Sequence, residues 1–377
     1  MLSGPLPAPG VAELPSPLIE PRGAAQVIHY DILGLTYWML ARVEEIGRTD
    51  LDNHGRFPAT ASHALKHGYL DRPVVDEWLH LLGQVIQRQW PGVALKRHTA
   101  RTLVSCDVDR PFFYRGDFKK LPRKIAGDII KRRNILTAWR NALGEMNVLR
   151  GDFSKDIFRL AIDWIMKVNE SAGNQVAFYF IPTNTDRVYD NRYSLDELRI
   201  RTIVRAIHAR GHEVGIHPGY NTYNSADLMR CAVKNLRRVM NEESLEQLAC
   251  GGRQHYLRWE MPTTACLWDD NGLDYDTTLS YADRAGFRCG TCFEYPMFDG
   301  VNQRALRLRE RPLVLMECSV ISDVYLGLGY SDQALEEMKK YRDSCYRVGG
   351  NFTLLWHNSD LVNPDAKAIY KQVIREY

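Results

Sequence analysis

The feature that most restricts the fold of this chain is an alternation of short, almost wholly apolar runs with stretches of helical periodicity. The runs are TLVSCDVD (102–109), VAFYFIP (176–182), HEVGIH (212–217), PLVLMECSV (312–320) and NFTLLWH (351–357), with weaker ones at ACGGRQHYLRW (249–259) and GFRCGT (286–291). Between them lie segments with apolar residues at 3.6-residue spacing, at 154–170, 194–211, 225–240 and 331–349. In 194–211, Ser194 and Glu197 have capping-box spacing and Gly211 supplies the stop. Strands apolar on both faces, each followed by a helix, predict a parallel sheet covered on both sides or closed into a barrel. Functional side chains in such folds sit at the C-terminal ends of the strands. Three of the predicted strand ends carry Asp107/Asp109, His217 and His357.

The first hundred residues differ in texture. Segments 31–47 and 74–90 are amphipathic helices, stopped by Gly47 and Pro91-Gly92, and a Pro-rich opening reads as an extended arm. The division expected is a helical region over 1–100 and an α/β domain over 101–377.

Composition narrows the function. With 377 residues, 45% hydrophobic, 25% charged and net charge +3, the chain is globular. The charges are too mixed for a dedicated nucleic-acid binder; the one basic stretch, 119–134, reads as a solvated helix face or a contact for an anionic carrier. No apolar run approaches the roughly 20 residues that span a bilayer. The opening has neither a basic n-region nor an apolar h-region, and eight cysteines lie scattered without a framework, so a cytoplasmic location is expected. Cys289-Gly-Thr-Cys292 lacks a second pair and reads as two free thiols at a turn. No Walker loop and no strand-linked Gly-x-Gly-x-x-Gly appears.

Asp107 and Asp109 are two apart on an extended segment and point the same way. Two carboxylates so close repel unless a cation or a proton intervenes. Pro218-Gly219 turns the chain just after His217, setting its imidazole at the mouth of the sheet. His357 has the near-neutral pKa suited to a general acid. Each of these also has a plain structural reading, as a turn, a core histidine or a cap.

Strand-Asp-x-Asp, Gly-His-Glu-(apolar)-Gly-x-His, an arginine-bearing segment and Leu-Leu-x-His, in that order over about 102–360, resemble the polysaccharide deacetylases of carbohydrate esterase family 4. YDILGLTYWMLARVEE and HGRFPA further resemble the leading segment of deacetylase-like proteins of bacterial surface-polysaccharide synthesis. The resemblance implies an α/β fold of the distorted (β/α) barrel type and a divalent metal, zinc above all. It implies a hydrolase removing N-acetyl groups from an amino sugar or saccharide of O-antigen or capsule type. It makes Asp107 the base, Asp109 and His217 metal ligands, and His357 the acid that protonates the leaving amine.

The family's second metal histidine falls at Asn221, a departure. Either Asn221 ligates through its weaker amide oxygen, or His255 becomes the third ligand, giving the better zinc set Asp-His-His. Loss of the metal would leave a catalytically silent binding protein, and a same-fold hydrolase could act on another linear amide. Arg253 or Arg258 would steady the base, and Asp283 the acid histidine.

Overall fold

The computed structural model describes residues 15–114, 135–191 and 193–375. The basic stretch 119–134 and the first fourteen residues of the Pro-rich arm lie outside them. Eleven strands are described: β1 (Ile19–Arg22), β2 (Ala25–Ile28), β3 (Arg101–Val108), β4 (Val176–Phe180), β5 (Glu213–Ile216), β6 (Gly251–Gly252), β7 (Tyr275–Asp276), β8 (Tyr295–Asp299), β9 (Arg304–Glu310), β10 (Leu315–Met316) and β11 (Asn351–Leu355). The helices that flank them are α1 (Ile32–Leu40), α2 (His63–Lys66), α3 (Val74–Gln89), α4 (Ile135–Leu149), α5 (Ile157–Ser171), α6 (Leu198–Ala209), α7 (Ala226–Glu242), α8 (Thr263–Asp270), α9 (Glu317–Ile321), α10 (Asp332–Arg347) and α11 (Pro364–Val373).

Strands β3 to β11 form one nine-stranded sheet in the order β10-β11-β3-β4-β5-β6-β7-β9-β8. Every described neighbour pair is parallel except the β8–β9 hairpin. The fold is therefore α/β with a large parallel sheet; among the described residues no strand pairing closes it into a barrel. β4 is buried along its whole length, which is why it carries no polar alternation. Val104, Phe178, Ile216 and Leu354 pack with apolar faces of the flanking helices in a continuous core. At β5 and β6 the backbones come closer than side chains permit: a Cβ at Gly252 would overlap the carbonyl oxygen of Ile216. No helix among the described residues is long and apolar enough to cross a membrane.

The expected elements differ in instructive ways. Segment 31–47 breaks after Leu40, where Arg42 turns left-handed at φ 47° before a short 3₁₀ turn at Val43–Glu45. Helix α6 starts at Leu198 with Glu197 as its N-cap; Glu197 still accepts from the Ser194 backbone N–H at 2.9 Å, one half of the expected box. GFRCGT is no strand. Gly286 and Gly290 have φ of 143° and 68°, and this loop turns Arg288 inward. PLVLMECSV is strand only at Leu315–Met316 and becomes α9 at Glu317. The hairpin β8–β9 was not foreseen, nor was the hairpin β1–β2 within the Pro-rich opening.

The N-terminal region has its own core, in which Tyr30, Met39, Phe57 and Trp78 meet Tyr281 of the α/β body. Its polar seams are specific. Asp76 on α3 accepts from Thr291 Oγ1 (2.5 Å) and the Cys292 N–H (2.9 Å). Cys289 and Cys292 are both free and buried.

Within the sheet, Glu310 faces Asp276 across β9 and β7. Burial, then the neighbouring carboxylate, raises Glu310 well above the ordinary range, and burial raises Asp276 to about 6. Glu310 thus holds its proton at neutral pH. A raised folded-state pKa gives stability that is full below the unfolded value and lost as pH climbs through the folded one. Glu310→Gln, which copies the protonated acid, is expected to be at least as stable as wild type at pH 7, because only the wild type gives up stability as pH rises above the ordinary value of 4.5. It should also lose less stability between pH 6 and 9. Urea titrations at the two pH values check this, and an unchanged pH slope would refute the proton assignment.

Candidate metal and acid–base site

The C-terminal ends of β3, β5, β6 and β11 bring six predicted residues together. Asp107 is the penultimate residue of β3, and Asp109 follows the strand on the same face. His217 follows β5, Arg253 and His255 follow β6, and His357 comes two residues after β11.

Asp109 Oδ1 lies 3.2 Å from His217 Nε2 and 3.7 Å from His255 Nε2. The other nitrogen of each ring is committed: His217 Nδ1 to the Arg253 carbonyl at 2.6 Å, His255 Nδ1 to Asp190 Oδ1 at 2.7 Å. Backbone or carboxylate acceptors on Nδ1 are the usual outer partners of metal-binding imidazoles, and they aim the Nε2 lone pairs at Asp109. Three acceptor atoms then face one another, all within 4.8 Å. Asp109 Oδ1 is buried and has no hydrogen-bond partner among the described residues. A divalent cation is the species that fits such a set, and Asp-His-His suits zinc.

The electrostatics agree with a place made for positive charge. Burial alone would raise Asp109, but His255 and His217 outweigh it and hold the carboxyl well below its usual range. Burial alone would lower His255; Asp109 and Asp190 overcome it and raise the imidazole to about 9.

Asn221 is not part of this set. Its Nδ2 donates to the Thr185 carbonyl at 3.0 Å, and its Oδ1 accepts from Arg258 Nη1 at 3.3 Å. Both ends of the amide are engaged in shaping the loop after His217. His255→Ala should therefore lower zinc affinity by more than the roughly 10- to 100-fold that loss of an outer partner such as Asp190 costs. Asn221→Ala should leave one equivalent bound, as metal analysis after gel filtration would show.

Asp107, buried at 2% exposure, gives Oδ1 to Arg253 Nη1 at 2.6 Å. Arg253 is itself fixed by Ser105 Oγ (2.9 Å) and the Thr277 carbonyl (2.9 Å). The Oδ2 of Asp107 lies 3.6 Å from His217 Nε2. Of the two arginines weighed for this place, Arg258 lies elsewhere, donating to the His54 and Tyr220 carbonyls.

On the other side, His357 Nε2 sits 3.8 Å from Asp109 Oδ2, while Nδ1 bonds Glu317 Oε1 at 2.5 Å. Glu317 also accepts from the His357 backbone N–H at 3.0 Å. Burial would depress this imidazole, but the Glu317 carboxylate outweighs it and raises His357 well above its ordinary range. Asp283 does not serve His357: its Oδ1 caps the Ala59 N–H at 3.1 Å, at the seam with the N-terminal region. The chain passes from β10 into α9 at Glu317, which puts that residue beside His357 instead.

Sequence reasoning missed Glu317 and Asp190. Glu317 left a signal, a lone acid inside an apolar run; Asp190, in the loop TDRVYDNRY, left none.

Residues 10–91 match DUF7033, a family of unknown function. No curated protein matches the chain in sequence. Among solved structures, the chain is similar to a putative polysaccharide deacetylase from Mycobacterium smegmatis, at 16% identity and TM-score 0.48, covering 75% of this chain and 85% of that one. It is similar to a probable polysaccharide deacetylase from Pseudomonas aeruginosa PAO1, at 16% identity and TM-score 0.39, over 57% of this chain and 65% of that one. It is also similar to Puue allantoinase, at 15% identity and TM-score 0.43, over 86% of this chain and 89% of that one.

Proposed function

We propose that the chain is a metal-dependent hydrolase that removes the N-acetyl group from an amino sugar, in the synthesis of a bacterial surface polysaccharide. The observation that carries this reading is the flanking of one three-ligand set by two differently held proton-transfer groups: Asp107 on Arg253 and His357 on Glu317. A cation bound by Asp109, His217 and His255 supplies Lewis acidity, which lowers the pKa of water and polarises an acyl oxygen.

The chain's own residues supply the rest. Arg253 occupies Asp107 Oδ1, leaving Oδ2 as the basic atom on the side of the cation ligands. Asp107 takes a proton from the attacking water. Glu317 keeps His357 protonated, with Nε2–H facing the site, so the imidazole can give that proton to the amide nitrogen as the C–N bond breaks. Water and the amide are consumed; acetate and a free amine leave.

Acetate release from N-acetylglucosamine and its oligomers tests the reading, using protein loaded with zinc or cobalt. Release should vanish on chelation, return when the metal is restored, and be crippled in His357→Ala. A protein that holds one equivalent of metal yet frees no acetate from any N-acetylated amino sugar would end the proposal.

A further inference from the structure

Residues 52–57 run from the N-terminal region to the mouth of this site. Asp52 organises the turn: Oδ1 accepts from the His54 (2.8 Å) and Arg56 (3.0 Å) N–H groups, and Oδ2 receives Arg56 Nε at 2.7 Å. The turn sends two side chains toward the α/β body. Arg56 Nη1 donates to the Tyr256 carbonyl at 2.9 Å. Tyr256 and Leu257, directly after His255, have φ of 61° and 55°. Two consecutive non-glycine residues in the left-handed region persist only where their surroundings hold them, and Arg56 is one such hold.

His54 enters a group of three tyrosines. Its ring lies 4.9 Å from Tyr256, 5.3 Å from Tyr189 and 5.9 Å from Tyr220, with Nδ1 3.0 Å from the Tyr220 hydroxyl. Tyr189 stacks on Tyr220 at 4.3 Å, and the Tyr256 ring is 4.8 Å from that of His255. His54, Tyr189 and Tyr256 are half-buried, so this aromatic wall adjoins the cation ligands and still meets solvent.

The charges beneath it are committed. Arg56 is met by Asp52, and Arg258 lies between the rings of Tyr220 (4.0 Å) and Tyr223 (3.9 Å) while donating to backbone carbonyls. What remains is a set of apolar ring faces edged by hydroxyl and imidazole tips. That pattern matches an uncharged pyranose, with its C–H faces and hydroxyl rim, and offers little to a phosphate.

We propose that His54, Tyr189 and Tyr256 form a saccharide subsite, and that the N-terminal region, by supplying His54, helps set which substrates the site accepts. The inference rests on the reading above for the bond that is cleaved, but the wall can be tested apart from it. Zinc-loaded full-length protein is compared on N,N′-diacetylchitobiose and on acyclic N-acetylethanolamine. His54→Ala is expected to raise KM for the disaccharide about three- to tenfold, the worth of one aromatic contact, with kcat changed less than about twofold. KM for the acyclic amide should not move, and His54→Phe should restore the disaccharide value. An unchanged disaccharide KM, or an equal rise for both amides, overturns the subsite while leaving the deacetylase reading intact. Saturation-transfer NMR with the disaccharide gives the binding readout without turnover. Ring-proton contacts present in wild type and lost in His54→Ala support the wall even if no acetate appears; no transfer in wild type overturns it.

Discussion

Asp107→Asn is expected to lower acetate release roughly 10²- to 10⁴-fold, the range spanned by loss of a positioned general base, while the cation site stays filled. The two aspartates are only two residues apart, yet their surroundings divide them. Asp109 faces two imidazole Nε2 atoms, whereas Asp107 is held by a guanidinium at 2.6 Å and reaches the nearer imidazole only at 3.6 Å. The asparagine keeps an oxygen for Arg253 Nη1 and removes the basic atom. Arg253 also keeps its hydrogen bonds to Ser105 Oγ and the Thr277 carbonyl. The variant should therefore fold and bind one equivalent of zinc. Initial rates at saturating disaccharide, with metal content measured on the same sample, decide the matter. Activity within tenfold of wild type, or zinc lost together with activity, would show that Asp107 is not the base.

That division of labour was only partly legible in the sequence. The apolar runs at 102–109, 176–182 and 351–357 gave the strands because strands buried on both faces leave little room for polar residues. Asp107, Asp109, His217 and His357 followed from them, since a parallel sheet presents its strand ends on one side. The third cation ligand stays open between His255 and Asn221 in the sequence because β6 spans only Gly251–Gly252. Its short, glycine-only form comes from close approach to β5, and the chain then bends through left-handed residues to deliver His255. No periodicity marks such a segment. Glu317 stands out only as a lone acid in an apolar run, whereas Asp283, the residue expected in its place, faces the N-terminal region. The contribution of His54 depends on a turn brought across some 200 residues of sequence, a relation that local patterning does not carry.

The seam that delivers His54 is anchored by a buried ion cluster, and removing its centre should be strongly destabilising. Glu45 accepts from Arg42 Nε at 2.8 Å, from Arg288 Nε at 2.9 Å and from Arg288 Nη2 at 2.6 Å. Its side chain is 4% exposed, those of Arg42 and Arg288 0% and 1%. Glu45→Ala leaves two desolvated guanidiniums short of negative charge, with Arg42 retaining Glu44 at 3.4 Å. Breaking a buried pair in this way costs about 3–5 kcal/mol, to be read from the urea midpoint.

The sign of the pH dependence follows from the same contacts. Burial would raise Glu45, but Arg288 and Arg42 prevail and bring it down to about 2, from an ordinary value of 4.5. A depressed carboxyl pKa contributes stability that is full above the unfolded value and is lost as pH falls through the folded one. The gap between wild type and Glu45→Ala should thus be widest near neutrality and narrow from about pH 4.5 toward 2. Because residues 52–57 ride on this region, partial undocking in the variant should raise the disaccharide KM, as expected for His54→Ala, under conditions where the α/β body remains folded and the cation bound. A variant as stable as wild type at pH 7, with the disaccharide KM unmoved, would mean that the cluster does not hold the N-terminal region in place.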